Sequence, residues 1–309
     1  MKIIMVINMD TDTIVTEIKR MKSERNAIIL AHNYQRPEIY NVADFIGDSL
    51  ELSRAAAKTD ADIIVFCGVD FMAESAKLLN PEKTVLLPDR EARCPMAAMV
   101  SVDALRKMKK EHPGAASMCY INTSAAVKAE CDVCCTSANA VKIVNSLPNR
   151  EVIFVPDRHL GEWVQKQTKK KLILWDGYCY VHAAVNAQDV EALKKSHPKA
   201  KVLAHPETPG DALALADHVA GTEGMVKIAR ESDADEFIIV TENGMLERLK
   251  KEAPGKRFFA GAGVCMNQKR ITLDKVKDAL LLNQHRIEIP ENVAMMARRA
   301  LERMLDMGK

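Results

Sequence analysis

The sequence has little of what nucleic-acid-binding, membrane and nucleotide-binding proteins require. Aromatic residues make up only 5% of the 309 residues, and 44 lysines and arginines nearly balance 42 acidic residues, which leaves a net charge of +2. This composition supplies neither a basic surface nor stacking platforms for nucleic acid. No apolar run approaches the ~20 residues that span a bilayer. No G-x-G-x-x-G or Walker loop indicates a nucleotide site.

The first ten residues form too short an apolar stretch for a signal peptide, and they become acidic at Asp10. The sequence therefore predicts a cytoplasmic protein. Apolar residues make up 48% of the chain, which is enough for packed cores and argues against disorder. Length alone, at roughly 150 residues per domain, predicts about two domains.

Cysteine is present, but without the repeated local pairs of zinc ribbons or ferredoxins. A cytosolic chain of this size is also a poor candidate for a disulfide framework. The thiols are therefore either small buried hydrophobes or groups that meet only through the fold. The eight cysteines are Cys67, Cys94, Cys119, Cys131, Cys134, Cys135, Cys179 and Cys265.

An internal repeat decides which cysteines belong together. The three segments align without gaps when they are counted from His32, Tyr120 and His205. In each, an aspartate lies 12 residues later, a hydroxyl residue 17 residues later and the end of an apolar run 34 residues later. Each segment then reaches a cysteine, and these three cysteines are 85 and 86 residues apart. The repeat replaces the estimate of two domains by three units of about 85 residues. The repeated residues are Asp44, Asp132, Asp217; Ser49, Ser137, Thr222; Phe66, Phe154, Ile239; and Cys94, Cys179, Cys265.

Each unit alternates short β-branched runs with helical patterns, which is typical of parallel βαβ construction. We expect an α/β fold of three pseudo-symmetric three-layer αβα domains, with parallel sheets around a central active site. The approximate domains are 1–108 with an N-terminal helix, 109–196, and 197–309 with C-terminal helices. In the first unit the predicted strands are 27–31, 61–66 and 84–87, and the predicted helices are 49–58 and 71–79.

Polar residues fall where the strands are predicted to end. Ligand sites of parallel sheets form beyond those ends, and a spacing of two puts both members of a pair on one face. The hydroxyl residues are expected to cap the next helix, whose free N–H groups suit phosphate or carboxylate. The last strand of each unit is expected to end at its cysteine, so three cysteines would converge on one cavity. The pairs are His32/Tyr34, Tyr120/Asn122 and His205/Glu207, and the hydroxyl residues are Ser49, Ser137 and Thr222.

Simpler explanations exist for these residues taken singly. A serine there can be an ordinary helix cap, and a histidine can be a satisfied interior group; recurrence at equivalent strand ends favours ligand contact instead. Cys131, Cys134 and Cys135 suggest a metal or redox site, but Cys134 aligns with Ile46 and Val219 inside the predicted strands. Packing is the better interpretation. A redox protein using these three thiols and a non-catalytic repeat scaffold are the rival hypotheses, and the polar pairs argue against both.

Three recurring cysteines without a fourth protein ligand leave two metals open. One is a Cys₃ zinc with an open position. The other is a [4Fe–4S] cluster whose unligated iron acts as a Lewis acid in dehydration. One ligand per unit favours a cluster in a cavity.

The sequence resembles the quinolinate synthase family of iron–sulfur enzymes over nearly the whole chain. The motifs that carry the resemblance are long and specific. They are AHNY at 31–34, ADFIGDSL at 43–50, CGVDFMAESAK at 67–77, YINTS at 120–124, TSANA at 136–140, GYCYVH at 177–182 and HPE at 205–207.

The resemblance implies condensation of iminoaspartate with dihydroxyacetone phosphate to quinolinate, with release of phosphate and two waters, in NAD biosynthesis. It implies a [4Fe–4S] cluster on Cys94, Cys179 and Cys265, and a supply of iminoaspartate by L-aspartate oxidase or aspartate dehydrogenase. It assigns proton transfer on the triose to Tyr34 and acid–base steps to His205 and Glu207. The implied dicarboxylate ligands are His32, Tyr120, Asn122 and Ser137, and the implied phosphate or carboxylate ligands are Ser49, His182 and Thr222.

Two segments depart from the family pattern. Gly221 and Glu223 flank Thr222 where small hydroxyl residues are expected, and a carboxylate near a phosphate would repel it unless Glu223 points away. Gln268 stands where methionine is usual, which we interpret as a packing change.

Overall fold

Three parallel four-stranded sheets, one for each sequence unit, form the framework of the chain. The computed structural model describes residues 10–308. Of the ten residues on which the absence of a signal peptide was argued, all but Asp10 lie outside the described residues. The strands are β1 Ala27–His32, β2 Phe45–Gly47, β3 Ile63–Cys67, β4 Thr84–Leu86, β5 Ala116–Tyr120, β6 Val133–Cys135, β7 Glu151–Val155, β8 Lys171–Leu174, β9 Lys201–Ala204, β10 His218–Val219, β11 Glu236–Val240 and β12 Arg257–Ala260.

The three sheets share one topology. Their strand orders are β2-β1-β3-β4, β6-β5-β7-β8 and β10-β9-β11-β12, and every pairing is parallel. Helices connect and flank the strands, as parallel crossovers require. The predicted three-layer α/β architecture is confirmed.

The predicted helix 49–58 matches α2, the predicted N-terminal helix corresponds to α1, and the predicted C-terminal helices correspond to α13 and α14. The helices are α1 Thr11–Glu24, α2 Ser49–Lys58, α3 Asp70–Leu79, α4 Val102–Glu111, α5 Ala125–Ala129, α6 Ala140–Ser146, α7 Arg158–Gln165, α8 Tyr180–Ala183, α9 Ala187–Ser196, α10 Gly210–Leu213, α11 Thr222–Glu231, α12 Gly244–Glu252, α13 Leu273–Leu282 and α14 Glu291–Met307. Short 3₁₀ turns cover Pro37–Asn41, Met96–Met99 and Gln268–Arg270. Among the described residues no helix combines the length and the apolar character needed to cross a membrane.

The aspartate at +12 has the same structural role in each unit. One carboxylate oxygen accepts a hydrogen bond from the backbone N–H of the first strand, which ties the segment before the second strand to that strand. Asp44 bonds Ile29 N at 2.8 Å, Asp132 bonds Ser117 N at 2.7 Å, and Asp217 bonds Val202 N at 2.8 Å. The repeat therefore holds at the level of single hydrogen bonds.

The hydrophobic cores divide the chain unevenly. The first and second units share one core, completed by Ala297, Ala300, Leu301 and Met304 of α14. α13 packs against α1 and β3 in the first unit. The third unit has two cores of its own on the faces of its sheet. The C-terminal helices thus belong to the third unit by sequence and pack on the first two; the domain boundaries stay a prediction.

The prediction that each last strand ends at its cysteine is wrong. β4, β8 and β12 end at Leu86, Leu174 and Ala260, and the cysteines follow in the next loops. These strands pair with only three or four residues of β3, β7 and β11. Each cysteine therefore lies on a loop beyond the sheet edge.

Candidate active site

The carboxyl ends of the three sheets surround one cavity with about 720 Å³ of empty space, its mouth included. Every site residue named from the sequence lines this cavity, although the roles assigned to those residues stay predictions. The residues are His32, Tyr34, Ser49, Cys94, Tyr120, Asn122, Ser137, Cys179, His182, His205, Glu207, Thr222 and Cys265.

A chain of hydrogen bonds, completed by one close contact between His182 and Glu207, links all three units across the cavity wall. Tyr120 donates its phenolic proton to Glu207 Oε1 at 2.5 Å, and Glu207 Oε2 lies 2.9 Å from His182 Nδ1. His182 Nε2 lies 2.8 Å from Thr241 Oγ1, which lies 2.7 Å from the Tyr34 hydroxyl. All but Tyr34 are buried. The arrangement provides a proton path between a carboxylate and a phenol.

The His-x-Tyr and His-x-Glu pairs adopt the same local geometry in the first and third units. The backbone N–H of Tyr34 donates to His32 Nδ1 at 3.2 Å, and that of Glu207 donates to His205 Nδ1 at 3.4 Å. A ring nitrogen that accepts a hydrogen bond leaves the other one protonated in neutral imidazole. His32 and His205 therefore each present Nε2–H as a donor.

Burial sets the charge of these groups. It lowers the pKa of His205 to about 4 and, together with the positive charge of Lys269, that of His32 to about 3. Burial opposes ionisation of Glu207, but the adjacent His182 and His205 and the bonds from His182 and Tyr120 outweigh it and lower its pKa to about 2. At neutral pH the cavity thus holds uncharged His32 and His205 together with an ionised Glu207.

The two tyrosines keep their protons. Burial raises the pKa of Tyr34 and of Tyr120 well above the usual value, and the negative charge of Glu207 raises both further. Each phenol can therefore donate a hydrogen bond or a proton, whereas neither acts as a base at neutral pH.

The cysteine set suits a metal centre. Cys94, Cys179 and Cys265 are half-buried free thiols from three different units, and all three line the cavity. Burial raises the pKa of Cys94 and of Cys179, so these thiols stay protonated until a cation takes their protons' place. Three soft donors without a fourth protein thiol fit a [4Fe–4S] cluster with one unligated iron.

A second donor group adjoins the first. Ligand atoms of Cys179, His182 and Glu207 lie within 4.8 Å of one another. Both His182 and Glu207 are already joined to the hydrogen-bond chain. This geometry favours a role in proton transfer for these two residues.

The expectation that Ser49, Ser137 and Thr222 are helix caps is wrong. Asp48 caps α2, accepting hydrogen bonds from Leu50 N and Glu51 N, and Ser49 is the first helical residue. The first residues of α11 follow Gly221, which has no side-chain oxygen to accept from them, and Thr222 begins the helix. In the second unit Asn139 precedes α6. The carboxylate of Asp48 is a stronger acceptor than a serine hydroxyl, which explains the shift at α2.

The two departures from the family pattern are resolved by contacts between units. Glu223 accepts a hydrogen bond from Asn33 Nδ2 at 3.0 Å and is not among the residues that line the cavity. A β-carbon at Gly221 would lie 3.0 Å from Ser137 Oγ, so glycine leaves room for that hydroxyl. Gln268 is buried, accepts a hydrogen bond from Gln35 at 2.5 Å and lines the cavity. Its substitution therefore changes the cavity wall as well as the packing.

Sequence reasoning missed Thr241, which joins Tyr34 to His182. Its repeat equivalents are Gly68 and Pro156, two residues beyond Phe66 and Phe154, so no recurrence marks it. It also missed Glu242, which lines the cavity. Glu242 does have acidic counterparts, Asp70 and Asp157, and comparing the segments after the third strands would have found them.

The chain is similar to known proteins of one family over nearly its whole length. Residues 16–306 match the family described as quinolinate synthetase A protein. The chain is 54% identical to the quinolinate synthase of Methanoregula boonei, over 96% of this chain and 99% of that protein. It is 53% identical to the quinolinate synthase of Geobacter metallireducens, over 96% and 98%. It is 51% identical to quinolinate synthase 2 of Methanosarcina acetivorans, over 97% of each.

Proposed function

The chain belongs to the quinolinate synthetase A protein family, and from this premise we propose that it is a quinolinate synthase of NAD biosynthesis, condensing iminoaspartate with dihydroxyacetone phosphate. The reaction joins the two carbon skeletons and releases phosphate and two waters. The observation that carries the proposal is the hydrogen-bond chain from Tyr120 through Glu207, His182 and Thr241 to Tyr34. It places an ionised carboxylate and a neutral phenol in one cavity, as repeated proton transfers require.

The dicarboxylate needs hydrogen-bond donors that are not already used. Asn122 Nδ2, the Ser137 hydroxyl and the Nε2–H of His32 meet this condition. Tyr120 already donates to Glu207 at 2.5 Å. Tyr120 therefore positions Glu207, and it can bind the dicarboxylate only by releasing that bond.

Proton transfer on the triose requires an acid at the carbonyl oxygen and a base at the neighbouring carbon, and the ionised Glu207 can accept the proton from that carbon. Tyr34 supplies the acid because its phenol is neutral, and its bond to Thr241 orients the hydroxyl. The chain through Thr241 and His182 can return a proton to Tyr34.

The dehydration steps require a base and a donor at the leaving oxygen. Glu207 is the base, since it is ionised, and it lies 3.9 Å from His205. His205 is the donor, because its neutral ring presents Nε2–H; a neutral histidine in such a role is known from other enzymes that polarise oxygen.

The phosphate is placed best at the start of α11. The N–H groups of its first turn have no side-chain cap, and Thr222 adds a hydroxyl. An uncapped helix N-terminus stabilises an anion through its N–H groups and dipole. Ser49 contributes from the start of α2, whose amides Asp48 already occupies.

Cys94, Cys179 and Cys265 would hold the [4Fe–4S] cluster, whose open iron supplies a Lewis acid toward a substrate oxygen. The eight free thiols also support a reducing, cytoplasmic setting. The iminoaspartate would come from an enzyme that oxidises aspartate, either L-aspartate oxidase or aspartate dehydrogenase.

The test is anaerobic purification followed by ultraviolet detection of quinolinate from iminoaspartate and dihydroxyacetone phosphate. We expect a brown protein with about four irons and four sulfides per chain, and product formation that depends on both substrates. A colourless protein with stoichiometric zinc after reconstitution would overturn the cluster assignment. Iron-loaded protein that makes no quinolinate would overturn the activity.

A further inference from the structure

Each of the three cavity cysteines gives its backbone N–H to a carboxylate of its own unit. These carboxylates come directly after the third strand of each sheet, where α3, α7 and α12 begin. The ungapped repeat did not align these three carboxylates, because in the first unit one extra residue separates the third strand from Asp70. The bonds are Cys94 N to Asp70 Oδ1 at 3.0 Å, Cys179 N to Asp157 Oδ2 at 3.2 Å and Cys265 N to Glu242 Oε1 at 3.0 Å.

A second bond holds each cysteine loop at the same junction. The backbone carbonyl two residues before the cysteine accepts from a backbone N–H at the start of the helix. The three bonds are Asp70 N to Ala92 O at 2.9 Å, Arg158 N to Gly177 O at 2.9 Å and Asn243 N to Gly263 O at 3.0 Å. Two bonds, two residues apart, fix both the place and the direction of the loop that carries the thiol.

The same carboxylates also hold the helix that follows them. Asp157 Oδ1 accepts from Leu160 N at 2.8 Å, and Glu242 Oε2 accepts from Gly244 N at 2.7 Å. Asp70 Oδ1 accepts from Phe71 N at 2.9 Å. Asp157 and Glu242 are fully buried, so their geometry does not depend on solvent. Each carboxylate thus couples a cysteine loop to the rigid end of a sheet.

We propose that Asp70, Asp157 and Glu242 are positioning residues that hold Cys94, Cys179 and Cys265 in place for their metal centre. The inference rests on the cluster assignment of the proposed function. The threefold recurrence carries it, since three units with different loop sequences keep one arrangement. Outer partners that orient metal ligands typically change metal affinity by about 10- to 100-fold when removed.

Asp157 and Asp70 use their carboxylate oxygens differently, so the proposal predicts different effects for similar substitutions at the two positions. Asp157 Oδ1 accepts a hydrogen bond from Leu160 N in the helix, and Oδ2 accepts one from Cys179 N. In Asp157→Asn one oxygen becomes an NH₂ group, which cannot accept, so one of the two bonds must break. Asp70 makes both bonds through the single atom Oδ1, so Asp70→Asn can keep both, whereas Asp70→Ala loses both.

Glu242 is a less clean site for this test. Its Oε1 also forms an ion pair with Lys269 at 3.1 Å, and Lys269 donates to the backbone carbonyl of Tyr34 as well. A change at Glu242 would therefore disturb the first unit too.

Asp44→Asn is the matched control. Asp44 also uses both oxygens, bonding Ile29 N at 2.8 Å and Lys22 Nζ at 2.5 Å, and it lies at the first strand away from the cysteine loops. It reports what the same chemical change does to the sheet alone.

The experiment compares these variants in two ways. Hydrogen exchange of residues 176–180 in the metal-free protein reports whether the Cys179 loop is held, independently of any cluster. Iron release from the reconstituted protein to a chelator reports the effect on the metal centre. We expect Asp157→Asn to speed exchange of that loop and to release iron at least about tenfold faster than the original chain.

Two variants at Asp70 provide a second test at the Cys94 loop. Asp70→Ala should release iron about tenfold faster, and Asp70→Asn and Asp44→Asn should stay within roughly twofold of the original rate. Original-like exchange and iron release in Asp157→Asn, together with original-like iron release in Asp70→Ala, would overturn the inference, as would equally fast release from Asp44→Asn. A parent protein that holds no iron would instead overturn the cluster assignment, while the exchange measurement still decides whether the carboxylates hold the loops.

Discussion

Cysteine occupies two contrasting settings in this chain. In the second sheet, Cys119 and Cys134 are paired in register on adjacent strands, fully buried, with their sulfurs 3.5 Å apart. Cys94, Cys179 and Cys265 lie on loops beyond the sheets, half-buried at the cavity. The same side chain is a packing group in the first setting and a candidate metal ligand in the second. Position relative to the sheet edge distinguishes them, and proximity in sequence does not.

The comparison extends to the other polar residues. Just before the second strand of each sheet, the exposed carboxylates Asp44, Asp132 and Asp217 accept hydrogen bonds from backbone N–H groups. At the cavity the carboxylate of Glu207 faces histidines and a tyrosine. The carboxyl-end edge is thus where the fold leaves side chains available for chemistry.

The largest expected effect is at the loop cysteines. Cys179→Ser should reduce the iron content from about four per chain to near zero after reconstitution, because a serine hydroxyl does not replace a thiolate toward iron. Quinolinate formation should be lost with it. Iron analysis and the visible spectrum measure this, and full iron retention in single serine variants at 94, 179 and 265 would remove the distinction between the two settings.

The next effect concerns Glu207. Glu207→Gln should lower kcat on the order of 10²- to 10⁴-fold, since the amide cannot accept a proton. Iron content should stay unchanged because Glu207 is not among the proposed ligands. Steady-state kinetics with parallel iron analysis provide the measurement, and a loss of iron in proportion to activity would place Glu207 at the metal instead.

A smaller effect is expected inside the second sheet. Cys134→Ser should lower the free energy of unfolding by about 1–3 kcal/mol, the typical cost of burying a hydroxyl without a compensating partner. Iron content and kcat should match the parent protein. Denaturant unfolding of the metal-free protein tests the stability change, and loss of iron in this variant would contradict the assignment of Cys134 to packing.

The smallest expected effect, per pH unit, is the contribution of His32 to the pH dependence of the unfolding free energy. Burial and the charge of Lys269 lower the pKa of His32 to about 3, from 6.5 for the free side chain. Between these values the unfolded chain binds a proton that the folded chain does not, so stability falls as pH falls, by about 1.4 kcal/mol per pH unit.

His32→Asn should therefore flatten the pH dependence of the unfolding free energy of the metal-free protein between pH 6.5 and 4, and the exposed His218 provides the control. An unchanged slope in His32→Asn, or an equal change in His218→Asn, would show that His32 is not excluded from protonation.

Much of the fold followed from the repeat. The apolar runs ending near Phe66, Phe154 and Ile239 are β3, β7 and β11, because buried parallel strands read as continuous apolar segments. Twelve of the thirteen cavity residues followed from the same alignment, since equivalent segments must lie at the same sheet edge, and His182 came only from the resemblance. The domain boundaries could not be tested in this way.

The remaining errors have local physical causes. A cap depends on which oxygen reaches the free N–H groups, so Asp48 displaced Ser49 from that role without disturbing the repeat. Thr241 gains its role from Tyr34 and His182 in other parts of the chain, and no local pattern carries such a contact. The ends of β4, β8 and β12 depend on pairing partners, which composition does not specify.

The packing of α14 has a consequence for how the chain is made. Residues 297–304 complete the core shared by the first two units, although they are translated after the whole third unit. During synthesis, the core shared by the first two units therefore stays incomplete until α14 has been made. The third unit, whose cores involve no residue of α14, can close before the first two do. Completion of the core shared by the first two units thus waits for this C-terminal helix.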